Sequence, residues 1–276
     1  MRWLTIRVSG AGDDQREPVI AALIAAGGGA VLEDDDALIT YLPEQTDLAP
    51  LRAAVAQAGP GVTLGVQALG EVNWQTAWRT KVGVHRVGRL TTAPPWLAAE
   101  AGDAALAIVV EPAMAFGTGE HPTTRGVMRL MQDVIRPGDT VADLGSGSGI
   151  LAIAAAKLGA ARVFAIEVDP DAIGNAEENV ARNGTSDRVH VLEGDAAVLL
   201  PLVAPVRVVL ANIISSALLA LSGAMRAALS SDGRAIVSGI LVEERDEMVR
   251  ALAAGGWRLV ADDTEGDWWS ATITPA

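Results

Sequence analysis

Cysteine is absent from the 276 residues, which excludes a disulfide framework, a thiolate zinc site and a cysteine nucleophile. Histidine occurs only as His85, His121 and His190, so a histidine-rich metal site is not expected and no metal is assigned. Lysine is almost missing: the basic set is 19 arginines with Lys81 and Lys157. No apolar run is long enough to span a bilayer, since the longest, Val19 to Leu32, is broken by Gly27-Gly28-Gly29. The opening residues interrupt their apolar pattern at Arg7 and do not read as a signal peptide. There is no internal repeat or low-complexity tract. A cytoplasmic protein without membrane association is the expectation.

What remains is globular in composition. Hydrophobic residues make up 50% and charged residues 20% of the chain, too apolar for a disordered protein. The length suits one large domain or two modest ones. The formal charge of -13 disfavours direct nucleic-acid binding and favours a basic partner. That charge is uneven. Residues 1–71 carry four basic and ten acidic groups, residues 72–99 carry four basic and none acidic, and residues 100–276 are again acidic. The expected organisation is a small domain over 1–71, a linker with a helix over 72–99, and a large domain over 100–276.

Local patterns fill in these segments. Leu4, Ile6 and Val8 alternate with Trp3, Thr5 and Arg7, the period of a strand. A helical pattern from Glu17 to Ala26 ends in three glycines, and two short apolar runs flank the acidic turn Asp34-Asp35-Asp36. A second helix, from Asp47 to Ala58, and a strand, Val62 to Leu69, complete the order β-α-β-β-α-β of a ferredoxin-like module. In the middle segment Trp74 and Trp78 would share a helix face, either packed on a neighbouring domain or offered to a protein substrate. From Val109 onward, β-rich runs at 140–144, 162–166, 189–192, 206–210 and 234–238 alternate with helical stretches. Such alternation predicts a mostly parallel sheet covered on both faces.

The chemistry is concentrated after the first of these runs. Val141-Ala-Asp-Leu-Gly-Ser-Gly-Ser-Gly149 leads straight into an alanine-rich helix, so glycines bring the backbone close to a ligand and helix amides point at it. The spacing is GxGxG and not the dinucleotide GxGxxG, because Ile150 stands where the third glycine would be. Asp143, just before the loop, would repel a pyrophosphate and attract a cation or an amine. Glu167 closes the next strand, at the carboxyl end where open α/β sheets bind ligands, and can accept from a ribose diol. Asp195, after the third strand, can accept from an exocyclic amine. A helix N-cap is the structural alternative, suiting Asp169 before Pro170 and also Asp195. Together Asp143, the loop with Gly145 and Gly147, Glu167 and Asp195 describe a pocket for a nucleoside carrying a cationic amino-acid tail.

These motifs resemble class I S-adenosylmethionine-dependent methyltransferases. Three further segments, Glu111-Pro-Ala-Met-Ala-Phe-Gly-Thr-Gly-Glu-His-Pro-Thr-Thr124, Asn212-Ile213 and Asn73-Trp74-Gln-Thr-Ala-Trp78, are similar to one branch, the ribosomal protein L11 methyltransferases. The resemblance covers nearly the whole chain. It implies a Rossmann-like catalytic domain with a mostly parallel seven-stranded sheet, preceded by a small ferredoxin-like substrate-recognition domain. It implies S-adenosylmethionine as cofactor and lysine side chains, with the α-amino group, of ribosomal protein L11 as acceptors. By position the family's cofactor contacts fall on Thr124, Gly145, Glu167 and Asn212. Ser146 stands where cysteine is often found, and Glu167 replaces the commoner aspartate.

Methyl transfer from a sulfonium to an amine needs nitrogen, methyl and sulfur in line, so positioning supplies much of the rate. A lysine ammonium must first lose its proton, and burial beside a sulfonium lowers its pKa. Asn212 is therefore the catalytic candidate, its carbonyl orienting the amine. Phe116 would wall the cofactor. His121 reads as a structural histidine, with proton acceptance as the alternative, and the other two histidines receive no role. Competing functions are a related protein-lysine methyltransferase, for instance one acting on an electron-transfer flavoprotein subunit, and a non-catalytic nucleoside-binding assembly factor. A release-factor glutamine methyltransferase would carry NPPY where this chain has Asn212-Ile-Ile-Ser215. Oligomeric state is not legible.

Overall fold

A computed structural model of the chain describes residues 3–28, 31–34, 37–69, 82–103, 105–111 and 117–276. The chain divides into two compact units, Met1–Thr80 and Lys81–Ala276. In the smaller unit, strands β1 (Trp3–Ser9), β2 (Leu32–Asp34), β3 (Ala37–Pro43) and β4 (Thr63–Leu69) form one antiparallel sheet in the order β2-β3-β1-β4, with helices α1 (Asp13–Ala25) and α2 (Leu48–Ala58). The alternation in β1 turns Leu4, Ile6 and Val8 into a core with Val19, Leu23 and Leu51. Burying each such side chain contributes about 1.5–3 kcal/mol. The glycines after α1 have a steric reason: a Cβ on Gly28 would lie 2.5 Å from Thr40 Oγ1 and 2.9 Å from the Leu23 carbonyl oxygen.

The larger unit begins with a three-stranded sheet, β5 (His85–Val87), β6 (Leu90–Ala93) and β7 (Ala107–Val109), with a 3-10 helix at Pro95–Glu100. Of the segment expected as a linker, residues 82–99 lie in the larger unit and carry two strands. Val87 and Leu90 are buried in the same core as Met128 and Met131 of helix α3 (Pro122–Val134). Gln132 of α3 fixes the turn between them, accepting from Arg89 N (2.7 Å) and donating to Val87 O (2.9 Å). Trp74, Trp78 and the rest of 70–81 lie outside the described residues.

A seven-stranded sheet follows, built from β8 (Thr140–Leu144), β9 (Arg162–Glu167), β10 (Val189–Glu193), β11 (Val206–Asn212), β12 (Leu229–Leu241), β13 (Trp257–Glu265) and β14 (Trp268–Pro275). Their order is β10-β9-β8-β11-β12-β14-β13, and β14 alone runs antiparallel to its neighbours. Helices α4 (Ile150–Lys157), α5 (Pro170–Arg182), α6 (Ala196–Val203), α7 (Ser215–Ala228) and α8 (Arg245–Ala254) connect them. Val141 joins one core and Ala142 and Leu144 the other, so β8 is buried on both faces. This is the Rossmann-like methyltransferase architecture. The chain leaves β8 on one side for β9 and returns on the other as β11, and ligands of open α/β sheets bind at that reversal, outside the carboxyl ends of the strands.

Candidate functional site

The glycine loop sits at this reversal. Gly145, Gly147 and Gly149 have φ of 68°, 52° and 79°, left-handed values that glycine reaches without a side-chain penalty. The amides of Gly145 and Ser146 both donate to Ile166 O, at 2.9 and 3.1 Å, which pins the loop to the end of β9. A Cβ on Gly145 would lie 2.7 Å from Ile213 Cγ2, so the approach of β11 to the loop requires glycine there.

The three carboxylates behave differently from one another. Asp143 is 1% exposed, and neither of its oxygens has a donor in hydrogen-bonding geometry among the described residues. Burial raises its pKa to about 7, the backbone N–H of Ala152 opposing this and the charge of Glu167 adding to it. Glu167 is 8% exposed and faces the loop's own backbone: Oε2 accepts from Gly147 N (2.8 Å), and Oε1 from Val168 N (2.8 Å) and Asp169 N (3.0 Å). Both lone pairs of Oε1 are thereby engaged, and Oε2 keeps one for a ligand hydroxyl. Asp195 caps α6, accepting from Ala197 N (2.8 Å) through Oδ1. It also borders a cavity of 280 Å³ with Gly145, Ile166, Gly194 and Ile213. Asp169 caps α5 through Asp171 N (3.0 Å), with Pro170 as the first helical residue.

A second cavity, of 240 Å³, opens on the other side of Ile213 and is lined by His121, Thr123, Asn212, Ile214, Gly239 and Trp268. Asn212 ends β11 opposite Ser238 in register. Gly239 has φ of 84°, and a Cβ there would lie 2.4 Å from Ile213 O, so the end of β12 holds the backbone that carries Asn212. His121 is the N-cap of α3, its Nδ1 accepting from Thr123 N (3.4 Å) and lying 2.8 Å from Thr123 Oγ1. Its ring meets Trp268 edge-on, centroids 4.9 Å apart. Burial, with the nearby Arg125 charge, lowers its pKa, so it is neutral with Nδ1 occupied. Thr124 is buried beside Thr123, and its hydroxyl has no partner among the described residues. Phe116 lies outside the described residues. Sequence reasoning did not single out Trp268 or the hydrogen-bonding role of Glu167 toward Gly147. The Trp268-Trp269 pair near the chain end was the available signal for the first; nothing in the sequence indicated the second.

Two cavities of similar volume thus share one lining residue, Ile213. The family described as ribosomal protein L11 methyltransferase (PrmA) matches residues 3–275. The chain belongs to this family. Among its relatives, the ribosomal protein L11 methyltransferase of Pelotomaculum thermopropionicum is 38% identical over 235 residues, covering 83% of this chain and 76% of that protein. That of Geobacter metallireducens is 39% identical over 223 residues, covering 80% and 71%. The crystal structure of a ribosomal protein L11 methylase from Lactobacillus delbrueckii subsp. bulgaricus superposes with a TM-score of 0.61 at 31% identity, covering 70% of this chain and 98% of that one. The protein is an S-adenosylmethionine-dependent protein methyltransferase.

The residues of this L11 methyltransferase family member fit that cofactor. A buried carboxylate at Asp143 and buried hydroxyls at Thr124 and Ser146, without a hydrogen-bond partner among the described residues, each cost about 1–3 kcal/mol or more unless a ligand group meets them. Their chemistry, acceptor-rich and anionic, suits a cationic ligand rich in donors. Among the described residues no helix is long and apolar enough to cross a membrane.

Proposed function

We propose that this methyltransferase places methyl groups on lysine side chains, and on the α-amino group, of ribosomal protein L11 in the cytoplasm. The observation that carries this is the extent of the family match, residues 3–275, which takes in the small N-terminal unit as well as the generic catalytic fold. That unit, including residues 1–71, is the docking module for the protein substrate in this reading, and the catalytic unit holds cofactor and amine.

S-adenosylmethionine, when bound, supplies an electrophilic methyl group on a sulfonium. Asp143, with Thr124 and the side-chain-free approach that Gly145 and Gly147 leave along the loop, would hold its amino-acid end. Glu167 would accept one ribose hydroxyl through the free lone pair of Oε2, and Asp195 an exocyclic amine through the oxygen not used in capping. Asn212 would accept a hydrogen bond from the incoming amine and aim its lone pair. The apolar walls, Ile213, Ile214 and Trp268, disfavour an ammonium and so promote loss of its proton before transfer. His121 would act as the helix cap that orients Thr123, not as the proton acceptor.

Incubation with labelled S-adenosylmethionine and purified L11 tests the assignment. Label on L11, counted per site by mass spectrometry, is the expected result. Cofactor binding without transfer to L11 would indicate an assembly factor, and transfer to an electron-transfer flavoprotein subunit alone would indicate the related lysine methyltransferase.

A further inference from the structure

Asparagine is a poor residue for a helix interior, yet α5 carries Asn175 and Asn179 one turn apart, with Asn183 a turn further on as its C-cap. Asn179 is fully buried, and its amide is completely used. Oδ1 accepts from Glu111 N (2.9 Å) and Arg182 Nη1 (2.6 Å), while Nδ2 donates to Ser148 O (3.1 Å) and Asn175 Oδ1 (3.4 Å). Ser148 belongs to the glycine loop, and its hydroxyl donates to Gly117 O. The loop is thus tied to residue 111 through Asn179 and to residue 117 directly. A Cβ on Gly117 would lie 2.8 Å from Ser148 Oγ, so that approach is close. One turn further along, Asn183 makes a reciprocal pair with Val109 (2.8 and 2.7 Å) and has no bond to the glycine loop.

We propose that Asn179 is a positioning residue for the cofactor: it fixes the glycine loop, at the Ser148 carbonyl, against the backbone of Glu111, and so sets the affinity for S-adenosylmethionine. This rests on the reading of the glycine loop as the cofactor's holder. The amide is suited to the task because one side chain must accept from the Glu111 amide and donate to the Ser148 carbonyl at once. Aspartate keeps the first bond and turns the hydrogen bond from Arg182 into an ion pair, but sets an oxygen against Ser148 O.

The test is titration of the full chain with S-adenosylhomocysteine by calorimetry, beside steady-state kinetics. Asn179→Asp is expected to weaken binding by about tenfold, the worth of one buried hydrogen bond. The KM for S-adenosylmethionine should rise in step, with kcat at saturation nearly unchanged. Asn183→Ala, which cuts the Val109 bonds and the bond to the Asn179 carbonyl but leaves the Asn179 side chain and Ser148 in place, should lower the melting temperature and leave the affinity within about twofold. Ser148→Ala, a second variant that spares α5, should also weaken binding. Wild-type affinity in folded Asn179→Asp, or an equal loss in Asn183→Ala, overturns the inference alone. A wild-type chain that does not bind S-adenosylhomocysteine overturns the reading of the loop, and the inference with it.

Discussion

Asp143 is the residue whose protonation the protein and its ligand pull in opposite directions. Burial lifts its pKa from 3.8 to about 7, so the folded chain without ligand holds a proton that the unfolded chain gives up. Stability from this group is full below pH 3.8 and is lost as pH rises toward 7. Asp143→Asn removes that loss, which is on the order of 2–4 kcal/mol above pH 7. Its melting temperature should therefore exceed that of the wild type more at pH 8 than at pH 5. A cationic ligand selects the ionised form instead. Affinity for S-adenosylhomocysteine, whose amino group stays charged, should rise by up to about tenfold per pH unit as pH approaches 7 and level off above it. In Asp143→Asn it should be weaker and flat. Asn212 calls for a kinetic distinction: Asn212→Ala should lower kcat on the protein substrate by about 100-fold, a positioning loss, with more modest change in cofactor affinity. Unchanged turnover in that variant would remove the role given to it.

At the scale of elements, the two cavity-bearing parts of the catalytic unit are fastened by charge. Arg129 of α3 bonds Asp263 through Nε (2.9 Å) and Nη2 (2.6 Å) and Glu265 through Nη2 (2.7 Å), while Arg125 bonds Glu265 and the carbonyl of Glu120. The helix that carries His121 is thereby held to the hairpin that carries Trp268. These groups are partly buried, so removing one partner strands the others. Arg129→Ala should cost about 1–3 kcal/mol by chemical denaturation and lower turnover through the shared cavity wall. Little of this was legible in the chain. The runs at 140–144 and 162–166 announced themselves as short β-rich stretches between helical ones, and β1 by strict alternation. β13 did neither: its register slips between Leu259 and Ala261, and it carries Asp262, Asp263 and Glu265. The number seven came from family resemblance, whereas patterning showed five strands. β5 and β6 have three and four residues, too short for a period, and only the charge marked off that segment. For the site, the glycine spacing and Asp143 could be read directly. The turning of Glu167 onto Gly147 could not, because it depends on β8 and β9 lying side by side.

The whole molecule presents a large negative charge to a substrate whose reactive groups are amines. The charge of -13 is made of -6 in residues 1–71 and -11 in residues 100–276, offset by +4 in the segment between. A field of that size accelerates encounter with a lysine-bearing protein and is felt over about a Debye length, which falls from about 10 Å at 0.1 M salt to about 3 Å at 1 M. Cofactor recognition depends on a different kind of charge, the buried carboxylate of Asp143, which mobile ions screen far less. The two can therefore be separated in one experiment. Raising salt over that range should increase the KM for L11 severalfold, while the affinity for S-adenosylhomocysteine changes little. A KM for L11 indifferent to salt would show that docking relies on apolar contacts, and the electrostatic account of the partner would fail with the methyltransferase assignment intact. A parallel weakening of both would mean instead that salt acts on the fold of the catalytic unit, which the melting temperature of the wild type across the same series would reveal.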